Sequence, residues 1–376
     1  MLLASTLAFA LTTTALGAGT LIGGFQGTCL ANATAPGERR NVTVAGVSQP
    51  LRIGSPFWDS AMIQSIIMQI IFQDVLGVQV ELMKHDWTTI AFEASFNCET
   101  HITLGLSTDT DLADLEQQLK RDHEEKMPIE LGTMPYKKYD ALYLKEEIVQ
   151  SAMQQEHLPL DYYLSYSHPR VDITQFFDRP ENISRYNMEA CWHWQLWYRY
   201  DDYEAATGDY GSRCWDNNWW YSPACRWDTS RCIPVIVGSV GILNVMQLAY
   251  WWNIPVAMAF VANHATYHQL VRDHRALFMW EFPDATFLNL NTSRVNFPAY
   301  DERSWASGIY DTDWPTVAVR KVACRQLESR ESEGVAQLAA TVANMRLIPQ
   351  DMMELLRATL DQWPTDVACE WLKARR

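Results

Sequence analysis

The stretch LRIGSPFWDSAMIQSIIMQIIFQDVLGVQVEL, residues 51–82, decides the fold. Leu51 to Gly54 is a short apolar strand closed by Gly54-Ser55-Pro56, and Asp59 and Ser60 follow as candidate helix caps. Met62, Ile63, Ile66, Ile67, Ile70, Ile71, Val75 and Leu76 recur at spacings of three and four, the period of a helix with one apolar face. Gly77 supplies the stop, and Val78, Val80 and Leu82 alternate as a strand. Strand, helix and strand in this order make a βαβ unit with a right-handed connection and parallel strands. The turn from Ser55 to Asp59 then falls at the carboxyl edge of the sheet, where α/β proteins hold ligands.

A second unit of the same kind lies downstream. Ile233 to Val237 reads as a strand, Gly238-Ser239-Val240-Gly241 as a tight turn, Ile242 to Trp252 as a helix and Ile254 to Val261 as a strand. Between the two, Asp111 to Lys126 is a charged helix face, and Tyr139 to Val149 reads as strand then helix. Gly334 to Leu347 and Gln350 to Leu360 are amphipathic helices separated by Pro349, with Pro364 ending the second. Ala31 to Pro50 is the one linker-like stretch. Repeated alternation of strand and helix predicts an α/β layered fold, and 376 residues suffice for about two domains after a leader.

Charge narrows the partners. Thirty Lys and Arg against 45 Asp and Glu give a net charge of -15, a field that repels phosphate backbones and excludes nucleic acid as the expected partner. Met1 to Gly37 carries no charged side chain, and Leu2 to Phe25 reads either as a secretory h-region with a small-residue exit near Ala18 or as a retained anchor. Either way the remainder is expected outside the cytoplasm. Asn32, Asn41, Asn182 and Asn291 head four N-glycosylation sequons, which agrees with export. So does the crowding of Cys191, Cys214, Cys225 and Cys232 in a loop-forming, Trp-rich stretch without a C-x2-C pair, which points to disulfides rather than zinc. Cys225 with Cys232, across six residues containing Asp228, Thr229 and Ser230, is the expected local pair, and Cys191 with Cys214 its companion.

Four segments together resemble the glycine betaine/choline-type substrate-binding proteins of ABC transporters. The first is Arg52 to Ser60 with its helix and Leu76-Gly-Val-Gln-Val-Glu-Leu82. The second is Glu130-Leu-Gly-Thr-Met-Pro-Tyr136, and the third is the run from Ile233 to His264. The last comprises Thr316-Val-Ala-Val-Arg-Lys321 and Val367-Ala-Cys-Glu-Trp-Leu372. The resemblance implies a two-lobed, periplasmic-binding-protein-like (type 2) α/β fold with parallel-rich sheets and a Cys/Trp-rich insert. It divides the chain into a signal peptide or anchor (1–31), lobe I (46–138 and 312–376) and lobe II (139–311) with the insert at 191–232. That insert is similar to the extended versions of algal and other protist relatives.

The same resemblance implies binding of a small solute, a quaternary ammonium or related zwitterionic osmolyte, in partnership with ABC transporter membrane subunits, with no catalysis, cofactor or metal. Methylated cations are held by aromatic faces, for which Phe57, Trp58 and Phe260 are the candidates. The carboxylate of a betaine would take His264 and the helix start at Gly238 and Ser239. Ser55 and Ser107 complete the set, which places the expected site between the 55–59 turn and the edges at 238–239 and 260–264. A cage tryptophan of the family falls here at Leu106 or Ser107, and the family's Trp-x-Pro-His is Phe260-Val-Ala-Asn-His264.

Two other classes compete. A metal-dependent secreted enzyme could use His264 and His268 at i and i+4 with Asp273 and His274, although the Glu of H-E-x-x-H is missing. Gly238-Ser-Val-Gly241 lacks the spacing of a nucleophile elbow. A carbohydrate binder could use Trp192, Trp194, Trp197, Trp215, Trp219 and Trp220 of the insert as stacking surfaces, against which stands a mini-core packed around disulfides.

Overall fold

A computed structural model describes residues 20–22, 25–108, 110–185, 188–191, 194–210, 214, 218–238, 241–261, 263–285, 288, 290–328 and 335–375. The chain divides into two compact units: one runs to Tyr136 and resumes at Ala318, and the other is Lys137–Val317.

In the first unit the strands lie in the order Thr20–Ile22, Val80–His85, Leu51–Pro56, Ile102–Ser107, Val317–Ala323. The inner three are parallel, with Leu51 opposite Val80 and Ile53 opposite both Leu82 and Ile102, and the flanking two run antiparallel. Leu51–Pro56, first in sequence, is therefore central, and its neighbours are reached by crossovers to opposite sides. The helix Asp59–Ile70 buries ten of its residues, which is why its apolar face is so broad in sequence. It ends in a π turn, Ile71–Val75, and Gly77 at φ +61 turns the chain into the next strand. The cap of this helix is Trp58, not Asp59 or Ser60. The strand runs as far as Pro56, the Trp58 carbonyl already accepts from the Ala61 and Met62 N–H groups, and Asp59 falls inside the first turn.

Two further expectations change. Ala31 to Pro50 is not linker throughout: Val42–Val44 and Val47–Gln49 form a hairpin whose turn residues Ala45 and Gly46 both have positive φ, as a two-residue type I′ turn requires. A leader ending at residue 31 would also remove Cys29, which is bonded to Cys369, and Thr20–Ile22, which pairs with Leu82 to Lys84. The buried Asp74 carboxylate fixes this segment by accepting from the Cys29 and Leu30 N–H groups at 2.7 and 2.8 Å and pairing with Arg39 at 3.1 Å. Folded structure thus begins by Thr20. Among the described residues no helix is long and apolar enough to cross a membrane.

The return strand Val317–Ala323 explains why its Arg-Lys pair tolerates burial. Arg320 bridges Glu116 at 2.6 Å and Glu130 at 2.7 Å. Lys321, 1 % exposed, donates at 2.9 to 3.0 Å to the carbonyls of Val342, Ala343 and Met345 at the end of the helix Val335–Asn344. A lysine there satisfies orphan carbonyls and opposes the negative helix end.

The second unit repeats the pattern: Trp220–Tyr221, Val256–Phe260, Ile233–Val237, Leu277–Phe282, then the 137–145 part of Ile129–Lys145. Again the inner three strands are parallel, the outer two antiparallel, and the first parallel strand in sequence is central. Trp219 and Trp220 are fully buried and belong to the continuous core of this unit with Ile233, Val256 and Phe278, rather than to a separate mini-core. Trp192 and Trp215 lie outside the described residues, as do the side chains of Trp194 and Trp197. All eight cysteines are paired: Cys29 with Cys369, Cys98 with Cys324, Cys191 with Cys214 and Cys225 with Cys232.

Candidate ligand-binding site

With the first strand central and its partners on either side, each unit has a topological switch point at the carboxyl end of that strand, where successive crossovers diverge and leave a crevice. In the first unit this edge carries three aromatic residues. Trp58 caps the helix after Leu51–Pro56, and Trp87 caps the helix Thr88–Phe96 after Val80–His85; neither has a side-chain cap bond. Phe57 stands edge-on to both, with ring centroids 5.7 Å from Trp58 and 5.8 Å from Trp87. Trp58 is 7 % exposed and Trp87 43 %. Ser107, at the end of the third parallel strand, shares a hydrogen bond of 3.3 Å with Thr88, so the start of the second helix reaches across to that strand. Ser55 is fully buried and donates to the Pro56 carbonyl, which commits its hydroxyl locally.

His85 ends the second strand opposite Pro56, is 2 % exposed, and finds no hydrogen-bond partner for either ring nitrogen among the described residues. Burial pushes its pKa below the ordinary value, against the pull of Asp86, so the ring is neutral at pH 7. This edge therefore brings together a neutral imidazole, three aromatic rings and the charged residues Lys84 and Asp86.

In the second unit Phe260 closes its strand as a buried core residue whose carbonyl accepts from Glu189. Gly238 has a packing role. A Cβ there would come within 2.6 Å of both Trp280 and Tyr267, whose rings stack at 4.5 Å. His268 lies edge-on to the same Trp280, and Tyr139 stacks on Phe282 with the Arg294 guanidinium 4.9 Å over its ring. His264 opens the helix His264–Asp273, capped by Asn263, while its side chain and Ser239 lie outside the described residues.

Residues 49–156 match the family model described as the substrate binding domain of the ABC-type glycine betaine transport system. The glycine betaine-type match begins just before the central strand of the first unit and takes in Phe57, Trp58, Trp87 and Ser107. No curated protein matches the chain. Among solved structures, lactococcal OpuAC in closed form with glycine betaine is similar at 9% identity, covering 87% of this chain and 96% of that one with a TM-score of 0.49. ProX from Borrelia burgdorferi is similar at 9% identity, 87% and 93% coverage and a TM-score of 0.49. An ABC-transporter choline binding protein with choline gives 11%, 87% and 88%, and 0.48.

Sequence reasoning singled out Trp58 and passed over Trp87 and His85, which lie on the same edge within the matched residues 49–156. The signal for Trp87 was present: like Trp58 it is a bulky indole directly after a strand and before a helix, in His85-Asp-Trp-Thr-Thr89.

Proposed function

We propose that this protein binds a small quaternary-ammonium or related zwitterionic solute of the glycine betaine kind outside the cytoplasm, as the substrate-binding component of an ABC transporter, and performs no chemistry on it. The observation that carries the reading is the overlap of the matched domain with the aromatic edge at Phe57, Trp58 and Trp87. A methylated cation donates no strong hydrogen bond and is held by ring faces, each worth about 0.5 to 2 kcal/mol according to its dryness. Ser55, Phe57, Trp58 and Ser107 are proposed for the first unit, and Gly238, Ser239, Phe260 and His264 for the second. Four disulfides fit an oxidising compartment. The exposed Asn32, Asn41, Asn182 and Asn291 fit N-glycosylation during export.

Calorimetry of the purified protein with glycine betaine, choline, carnitine, dimethylsulfoniopropionate, proline and small sugars tests this. Binding of methylated cations that weakens by about 1 to 3 kcal/mol in Trp58→Ala, with folding intact, supports it. Binding of sugars alone, or of none of these solutes, overturns it.

A further inference from the structure

We infer that a groove at the far end of the helix Asp59–Ile70 binds the alkyl chain of an anionic single-chain amphiphile of the fatty-acid class, with Arg346 holding its carboxylate. The groove begins at Ile67, about 14 Å along the helix from Trp58, so this site stands or falls apart from the solute-binding reading.

The groove forms between three helices of the first unit. Ile67 and Met68 of Asp59–Ile70, Ala340 of Val335–Asn344 and Trp371 and Leu372 of Pro364–Ala374 line it. Its volume is about 490 Å³, within the roughly 300 to 1,000 Å³ of small-molecule sites. Ile67, Met68 and Leu347 supply buried apolar surface, whereas Ile71, Trp371 and Leu372 are only half-buried and leave apolar surface open. Such a lining suits a chain of methylene groups, to which Met68 and Met345, with their unbranched and flexible side chains, can fit.

Charge selects the head group. Arg346 is the one charged residue that lines the groove, and it is exposed without a salt bridge or hydrogen bond to any described residue. Other arginines of this unit are paired: Arg320 holds Glu116 and Glu130, and Arg375 holds Asp351 and Glu354. The end of Val335–Asn344 does not need the Arg346 charge either, because Lys321 already donates to its carbonyls. Burial, and then the neighbouring Arg346 charge, hold the Lys321 pKa below its ordinary value, so an anion bound at Arg346 would offset the repulsion between the two cations.

A second observation points to a bound acceptor. The Arg375 guanidinium covers the Trp371 ring at 4.5 Å, and the indole N–H is buried with no hydrogen-bond partner among the described residues. An orphan donor costs free energy that an oxygen bound in the groove would recover. A carboxylate brings acceptors alone, which is what an arginine and an indole N–H both require.

Calorimetry on the full chain with decanoate, decan-1-ol and dodecanoate as probes tests this. Decanoate is expected to bind once per chain and more tightly than decan-1-ol, and dodecanoate more tightly again, by up to about fourfold per added methylene. Arg346→Gln should weaken decanoate about three- to tenfold and leave decan-1-ol unchanged. Ala340→Trp, which fills the groove from an exposed position, should abolish binding of both while the thermal midpoint stays at the wild-type value. Decanoate affinity that is unchanged in Arg346→Gln, equal to that of decan-1-ol or indifferent to chain length overturns the inference, as does the absence of binding at millimolar decanoate. A concentration-dependent dimer in sedimentation that Ala340→Trp abolishes would mean that a second copy fills the groove, and overturns it too.

Discussion

Trp58 and Trp87 hold the same station on neighbouring parallel strands: each is the cap residue of the helix that follows, and each makes an edge contact with Phe57. Helix caps are normally Ser, Thr, Asp or Asn, whose oxygen accepts a free helix N–H, and giving this up costs about 0.5 to 2 kcal/mol. The chain forgoes it twice on one edge. Other helices of the chain also begin without a side-chain cap bond, at Lys145, Gly241 and Trp363, so what sets this edge apart is the pair of indoles meeting one phenyl ring.

His101 predicts acid sensitivity of the first unit. The ring is fully buried, its Nδ1 accepts from the Arg52 N–H at 3.0 Å, and burial together with the Arg52 charge holds its pKa down at about 4. The folded value lies below the ordinary 6.5, so in the window between them the unfolded chain binds a proton that the folded chain refuses. Stability is then lost as pH falls from about 6.5 towards 4, by up to about 3 kcal/mol. Urea midpoints measured at pH 7 and 4.5 should converge in His101→Gln relative to wild type. An equal acid loss in both proteins counts against the assignment.

The disulfides should differ in worth. Cys98–Cys324 joins residues 226 apart in sequence and Cys225–Cys232 residues 7 apart. By loop-closure entropy the first contributes about 5 kcal/mol and the second about 2.5. Replacing both cysteines of each pair by alanine should lower the denaturation midpoint more for Cys98 and Cys324. The reverse order would mean that strain or residual unfolded structure outweighs chain entropy here.

What could be read from sequence tracks how local the signal is. Residues 51–82 were legible because apolar spacing of two and then three to four carries its own geometry. The hairpin at 42–49 was not: each strand is three residues long, too short for a period, and its turn is Ala45-Gly46 rather than a strong turn pair. Thr20–Ile22 was hidden inside an apolar run that matches a leader equally well. Asp74 and Lys321 look like surface charges in sequence because their partners lie 35 and 21 or more residues away. In the site, Trp58 and Phe57 stood out by position, whereas the burial of Ser55 and Phe260 depends on packing that no spacing reports.

The four sequons make a separate prediction. Asn32, Asn41, Asn182 and Asn291 are all exposed, so none is hidden from a glycan by folding. Secretion from a eukaryotic host should yield protein whose mass falls on deglycosylation, with each Asn→Gln substitution removing one glycan step. An unshifted mass in all four variants would refute occupancy.

Gly105 couples the sheet to the helix that carries Trp58 at its start. It sits at φ +76, a left-handed conformation that costs any residue with a side chain, and a Cβ there would overlap the Cβ of Ala61 and lie 2.8 Å from its Cα. Ala61 belongs to the first turn of Asp59–Ile70, so the strand and helix backbones approach as closely as they do only because position 105 is bare. Gly105→Ala should therefore cost about 2 to 4 kcal/mol, combining positive-φ strain with overpacking. The two contributions can be separated. Ala61→Gly in the same chain removes the Cβ–Cβ overlap but leaves the 2.8 Å approach to the Cα and the strain, so the double variant should regain only part of the overpacking cost, less about 1 kcal/mol for a glycine in a helix. Because the helix must otherwise shift away from the sheet, Gly105→Ala should also displace Trp58 and weaken solute binding, and the double variant should restore binding more fully than stability. Denaturant midpoints and calorimetry on the three variants decide it: a Gly105→Ala protein within about 0.5 kcal/mol of wild type would show that the helix has room to move.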